Sequence, residues 1–177
     1  MNAIVSSAQG TTESIASRQG GAAPTARPAY VIREGSIAEH RDAVSRLLEL
    51  HWEEVAKNKG LMRLAPDWAK YQMLDDQHYL LILVAYAGEE LVGYSCNLLD
   101  GHLHYSDLRY AQNDVLFLHK DHRASPLGQR LIKRTEEDAK QRGAKLMMWH
   151  AKEDSALSKI MQAKRRPIQD IIYACEL

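Results

Sequence analysis

Arg123, Ser125 and Gly128 stand close together, directly after the apolar run Leu116–Leu118 and at the start of a long amphipathic pattern. A buried strand, a short polar loop and a helix start, in that order, build a phosphate cradle from backbone alone. The first amides of a helix have no partner within it, and the helix dipole adds roughly half a positive charge at that end. Ser125 suits the N-cap, and Pro126 suits the first helical position, where its missing N–H is not needed. Gly128 has no side chain to hold a ligand away from the backbone. The candidate anion-binding residues are therefore Arg123, Ala124, Ser125, Pro126, Leu127, Gly128 and Gln129. The alternative is an ordinary α/β domain in which Gly128 only helps the helix to pack.

The spacing excludes two common nucleotide folds. The chain has neither Gly-x-x-x-x-Gly-Lys-Ser/Thr nor Gly-x-Gly-x-x-Gly, so it carries no P-loop and no dinucleotide fingerprint. Arg123-Ala-Ser-Pro-Leu-Gly128 instead resembles the Arg/Gln-x-x-Gly-x-Gly/Ala signature of the GCN5-related N-acetyltransferases (GNAT). Arg123 and Gly128 match it, and Pro126 replaces its first glycine. Val84–Tyr94 resembles the hairpin of strands two and three in that family, with Gly88 in the turn. Asn113–Leu118 resembles strand four, Leu127–Arg142 the following helix, and Ala144–Ala151 strand five. Ser155–Ala163 resembles the next short helix, and Ile168–Cys175 the final strand. The likeness covers roughly residues 29–177 and is nearest to members found in phage and prophage genomes.

The resemblance implies an α+β (α/β) fold. Its central sheet would be mixed and mostly antiparallel, with about six to seven strands, a V-shaped splay between strands four and five, and helices on both faces. It implies acetyl-coenzyme A as cosubstrate and direct transfer of the acetyl group to an amine in a ternary complex. Pantetheine would lie in the splay against the backbone of Leu116, Phe117 and Leu118, one of whose amides would polarise the thioester carbonyl. Such transfer asks little of side chains beyond a base for the amine, a donor for the oxyanion and an acid for the thiolate, since positioning supplies much of the rate. Asp114, near the start of strand four, is the first candidate base. His150 on strand five is the second, and His104, in a segment placed to overhang the cleft, is the third. A family pattern Asn-x-x-Ala-x-x-Tyr aligns with Ser155, Ser158 and Met161, so the usual tyrosine is missing. Either Tyr173 in the last strand substitutes, or the thiolate leaves unassisted and takes its proton from water. The rival reading is a non-catalytic acyl-coenzyme A-binding or protein-interaction module on the same fold.

These residues need a scaffold, and much of it is patterned locally. Ser36-Ile-Ala-Glu39 is a capping box opening a helix whose apolar positions include Ile37, Val44, Leu47, Leu48, His51 and Val55. A second helix is expected from Pro66 to about Asp76. Trp52, Trp68 and Tyr71 are placed either to line an acceptor cleft or to pack the two helices on the sheet. In the helix from Pro126, Leu127, Leu131, Ile132, Thr135 and Ala139 share one face, and Gly143 ends it. Arg130, Lys133 and Arg134 lie near enough to the cradle to offer a further phosphate contact.

Composition sets the remaining bounds. The 177 residues carry 23 Lys plus Arg against 23 Asp plus Glu, a net charge of zero. That balance argues against generic electrostatic binding to nucleic acid or to a membrane surface. Residues 1–28, rich in Ser, Gly, Ala and Thr, read as a disordered tail before a single domain at 29–177. Cys96 and Cys175 fall in expected strands and read as buried thiols of a reducing cytoplasm. His102-x-His104 and His119-x-x-His122 lack a third ligand at metal-binding spacing, so no metal is expected. The acceptor stays open between small-molecule amines and peptide or protein amines, and a homodimer is the default assembly.

Overall fold

The computed structural model describes residues 28–177. The expected tail, residues 1–28, lies almost wholly outside them. The elements run β1 (Tyr30–Glu34), α1 (Ile37–Val55), α2 (Trp68–Asp76), β2 (Leu80–Ala87), β3 (Glu90–His102), β4 (Tyr105–Leu118), α3 (Leu127–Gln141), β5 (Leu146–Met148) and α4 (Ala156–Ala163). The strands form one sheet in sequence order, β1-β2-β3-β4-β5. Every pair is antiparallel except β4 with β5, which is parallel.

β2 reads Leu-Leu-Ile-Leu-Val-Ala without alternation because both of its faces are covered. Leu81 and Leu83 point to the side of α3, where Leu99, Ala111, Leu131 and Ala139 complete a cluster. Leu80 and Ile82 point the other way, to Ile37, Cys96 and partly buried residues of α2. Leu47 of α1 packs with Val84, Tyr94 and Phe117 on that same second face. Leu81, Leu83, Leu99 and Leu131 are wholly buried, each contributing on the order of 1.5–3 kcal/mol.

The local signals form as patterned. Ser36 caps α1, its Oγ accepting from the Glu39 amide. The Ser36 amide donates to His40 Nδ1 rather than to Glu39. Gly88 turns the β2–β3 hairpin at φ +62, and Gly143 ends α3 at φ +88. The buried face of α3 contains all five expected residues and adds Asp138, whose carboxylate is held by Arg134 one turn earlier.

The long-range expectations need correction. Among the described residues the sheet has five strands, fewer than the six to seven expected. β3 and β4 extend well beyond the expected segments, meeting at a turn near His102 and Tyr105. β5 has three residues rather than eight. Ile168–Cys175 forms no strand: Ile168, Ile171, Ile172 and Tyr173 are 82%, 68%, 73% and 90% exposed. The chain leaves α4 through Arg165 in a left-handed conformation and then Pro167, and so short a β5 offers little edge for a further strand to pair with. Cys175 is accordingly exposed, whereas Cys96 is buried on β3.

Candidate functional site

The site begins with an irregularity in β4. Cys96 pairs with Val115 and Asn97 with Asn113, so Asp114 has no opposite residue. This is a β-bulge, a device that re-aims side chains and is over-represented beside active sites. Alternation would set Asp114 and Val115 on opposite faces. The bulge instead sets both on the α1/α2 face, where Tyr71 of α2 donates its hydroxyl to Asp114 Oδ2 at 2.5 Å and Val115 packs beside Trp68 and Tyr71. Asp114 thus lies in the second half of β4, not near its start.

Beside the bulge the sheet opens. β5 pairs with β4 only at Tyr110–Gln112, while β4 runs on to Leu118 with no strand on that edge among the described residues. The splay expected between strands four and five is therefore present, and it leaves the β4 edge from Asn113 to Leu118 without a strand partner among the described residues. Of the side chains there, Asp114 is exposed, Phe117 is buried, and Leu118 is half-buried against Val92 and Leu127. The backbone of Leu116, Phe117 and Leu118 runs along this unpaired edge.

The loop after β4 leads into α3 through a single 3-10 turn at Lys120–His122. The Ser125 hydroxyl donates to the His122 carbonyl at 2.5 Å and accepts the Leu127 amide at 3.3 Å. The helix starts one residue later than patterned, with Pro126 at the cap position, a shift within the usual uncertainty of helix ends. Among the described residues, no protein group accepts from the amides of Gly128 and Gln129 in this first turn. A Cβ on Gly128 would lie 3.4 Å from Leu118 Cδ2, an ordinary contact. Folding alone therefore does not require glycine at 128. At Gly93 it does: a Cβ there would meet Leu118 Cδ1 and the Phe117 carbonyl at 2.9 Å.

Arg123 braces this loop. Its Nε–H donates to the Leu118 carbonyl at 2.8 Å, and its two terminal nitrogens grip Glu54 Oε1 and Oε2 at 2.5 and 2.7 Å. Three of its five N–H groups are thereby used. The hydrogen bond from Arg123 holds the Glu54 carboxyl below its ordinary range. This bridge ties the end of α1 to the end of β4.

Four side chains on the α1/α2 face surround Asp114 and Phe117. Burial, and then the hydrogen bond to Asp114, push the Tyr71 hydroxyl well above its ordinary pKa, so it remains a proton donor to the carboxylate. Tyr94 shares a hydrogen bond with His51 Nδ1 at 3.1 Å. The His51 ring stacks on Phe117 with centroids 5.0 Å apart, and burial lowers its pKa against the opposing pull of Glu54. Cys96 is held as a thiol, its pKa raised by burial and by the Asp114 charge.

The candidate residues divide accordingly. Asp114 lies beside the unpaired edge of Leu116–Leu118, on the strand that leads into the candidate cradle Arg123–Gln129. His150 lies two residues past β5, exposed; extending the register Gln112↔Met148 sets it level with Asp114 across the splay. His104 does not join them. It occupies the β3–β4 turn at the opposite end of β4, about 30 Å from Asp114 at ~3.3 Å per residue. Tyr173 is in the exposed C-terminal segment. Among the described residues, no group of three or more His, Cys, Asp or Glu is arranged to hold a metal ion, and no helix is long and apolar enough to cross a membrane. Sequence reasoning missed the roles of Glu54, His51 and Tyr94. Tyr71, three residues after Trp68, was a candidate for the cleft, but its partner depends on a bulge that no residue spacing announces.

The family model described as "Acetyltransferase (GNAT) family" matches residues 44–159. No curated protein matches the chain. Among solved structures, an aminoglycoside acetyltransferase from an uncultured soil metagenomic sample, in complex with sisomicin, superposes with a TM-score of 0.65 at 18% identity, covering 84% of this chain and 96% of that one. A ribosomal-protein-alanine N-acetyltransferase from Brucella melitensis gives 0.64 at 18% identity, covering 84% and 99%. A tetramutant of the BH1408 protein from Bacillus halodurans gives 0.68 at 14% identity, covering 83% and 99%. At such identities the likeness is one of fold.

Proposed function

The chain belongs to the GNAT acetyltransferase family, and on that premise we propose that it transfers the acetyl group of acetyl-coenzyme A directly to an amine. The observation that carries this reading is the adjacency of three features: the bulge at Asp114, the open edge of β4, and the unpaired first-turn amides of α3. The residues present fit the coenzyme. Amides of Gly128 and Gln129 would take its phosphates, Gly128 leaves the approach clear, and the backbone of Leu116–Leu118 would hold the pantetheine arm. Acetyl-coenzyme A supplies the acyl group as an activated thioester.

The side chains supply the proton handling. Asp114 accepts a proton from the acceptor amine, directly or through one water, and Tyr71 holds the carboxylate in place. A backbone amide of the β4 edge stabilises the developing oxyanion, as preorganised donors do in a low-dielectric site. No tyrosine stands where the family pattern has one: Met161 is buried there as a packing residue. With Tyr173 on an exposed segment, water is the better-supported proton source for the departing thiolate. His150, level with Asp114, is the reserve base.

The same reading assigns the chain to the phage and prophage branch, to a reducing cytoplasm and to a homodimer, with no nucleic acid or membrane in its cycle. Buried Met161 also favours the second reading, a coenzyme-binding module without turnover. Asp114→Asn separates the two. Wild-type thiol release that depends on an added amine, and falls about 100-fold or more in Asp114→Asn, supports transfer. Absence of amine-dependent release by a protein that binds the coenzyme supports the non-catalytic module.

A further inference from the structure

The acetyl-transfer reading leaves the acceptor's chemistry open, and the wall below Asp114 narrows it. Between α1, α2 and the sheet lies a cavity of about 60 Å³. Its walls include Val44 and Leu48 of α1, Trp68 of α2, and Ile82, Tyr94 and Val115 of the sheet. Tyr71 also lines it and ends in the hydroxyl that donates to Asp114. The cavity thus stops one hydrogen bond short of the candidate base.

The buried polar groups on this wall already have partners, and the one charged side chain that lines it, Arg41, is largely solvent-exposed and donates its Nε–H to Asp42. The Tyr71 hydroxyl is engaged by Asp114 and the Tyr94 hydroxyl by His51. Ser36 Oγ accepts from the Glu39 amide, and His40 Nδ1 accepts from the Ser36 amide. Cys96 is kept a neutral thiol by its burial. A hydroxylated or multiply charged group entering here would lose its water and find little in return. An apolar group would lose nothing.

We propose that this cavity is the acceptor subsite, and that the preferred acceptor is a small primary amine borne on a compact apolar group, branched aliphatic or aromatic. The inference rests on the N-acetyltransferase reading. A water needs on the order of 10–15 Å³ of such space, so the cavity takes several carbon atoms but not a sugar ring with its hydration. Asp114, hydrogen-bonded to the lining residue Tyr71, carries the charge that an ammonium group seeks. The apolar part would lie among lining residues such as Val44, Leu48 and Val115, with the nitrogen toward the Tyr71–Asp114 pair. Such a subsite differs in chemistry from one built for an aminoglycoside, although an enzyme acting on that class shares the fold.

The test uses the full chain with acetyl-coenzyme A and follows thiol release with isobutylamine, phenethylamine, putrescine and sisomicin. The expected result is a kcat/KM for isobutylamine or phenethylamine at least tenfold above those for putrescine and sisomicin. Val44→Phe, which fills the cavity from a half-buried position, should lower that selectivity at least tenfold while the Kd for acetyl-coenzyme A stays within twofold. A higher kcat/KM for putrescine or sisomicin overturns the acceptor assignment and leaves the transferase reading intact. Selectivity retained by a folded Val44→Phe protein overturns it equally. The wild-type panel decides by itself if that variant does not fold. Turnover of none of the four by coenzyme-bound protein overturns the acceptor assignment, while the transferase reading is then decided by thiol release with peptide and protein amines.

Discussion

Replacing Gly128 with alanine should stabilise the free protein and weaken its hold on acetyl-coenzyme A. The added methyl would lie 3.4 Å from Leu118 Cδ2, close enough for contact and too far for a clash. Gly128 is the second residue of α3 and has no left-handed backbone to protect. Alanine in a helix is favoured over glycine by about 0.5–1 kcal/mol. For a chain of this size each kcal/mol moves Tm by about 2–4 °C, so the free variant should melt about 1–4 °C higher. The coenzyme feels the opposite effect, because the methyl stands beside the amides proposed to meet its phosphates. A tenfold loss of affinity corresponds to about 1.4 kcal/mol, and the stabilisation by saturating ligand shrinks by the same amount. Thermal melts with and without acetyl-coenzyme A, together with a calorimetric titration, measure both effects on one sample. Gly128→Trp should carry the trend to loss of binding in a folded protein. A lower Tm for free Gly128→Ala, or an unchanged Kd, would refute the argument that ligand approach rather than folding calls for this glycine.

Gly93→Ala should behave in the contrary way. Its Cβ would meet the Phe117 carbonyl at 2.9 Å, so the β3–β4 ladder must shift, and chemical denaturation should show a loss of about 1–3 kcal/mol. Stability should also depend on pH through His51. Its folded pKa lies below the ordinary 6.5, so as pH falls past 6.5 the unfolded chain takes up the proton first and stability drops until the lowered pKa is reached. Glu54 adds a second loss at more acid pH, since its folded pKa lies below the ordinary 4.5. Melting curves from pH 7.5 to about pH 4 check both windows; His51→Gln should flatten the first, and an unchanged profile in that variant would assign the loss to another group.

What was legible in the sequence is what short segments decide for themselves. The α3 stripe from Leu127 to Ala139, the Ser36 cap, the Gly88 turn and the Gly143 stop each depend on neighbours within a few residues. The strand, loop and helix start of the proposed cradle are of this kind as well, because they follow one another in the chain. The rest depends on partners far along the chain. The polar run Gln112-Asn113-Asp114 obscured a strand that begins at Tyr105, and only the register against β3 shows that Asp114 is the bulged residue. Pairing also decided the C-terminal segment: Ile168–Cys175 has strand-like composition, but three-residue β5 gives it little edge to join. The bridge from Arg123 to Glu54 spans 69 positions, a pairing that only the fold brings about.

The reading stands or falls on whether the wild-type chain binds acetyl-coenzyme A. Calorimetric titration with acetyl-coenzyme A, with coenzyme A and ATP as controls, should give saturable, near-stoichiometric binding that prefers both coenzymes over ATP. A folded sample that takes up none of the three, or binds ATP as well as the coenzymes, would contradict the assignment of the β4 edge and the Arg123–Gln129 cradle to this cosubstrate.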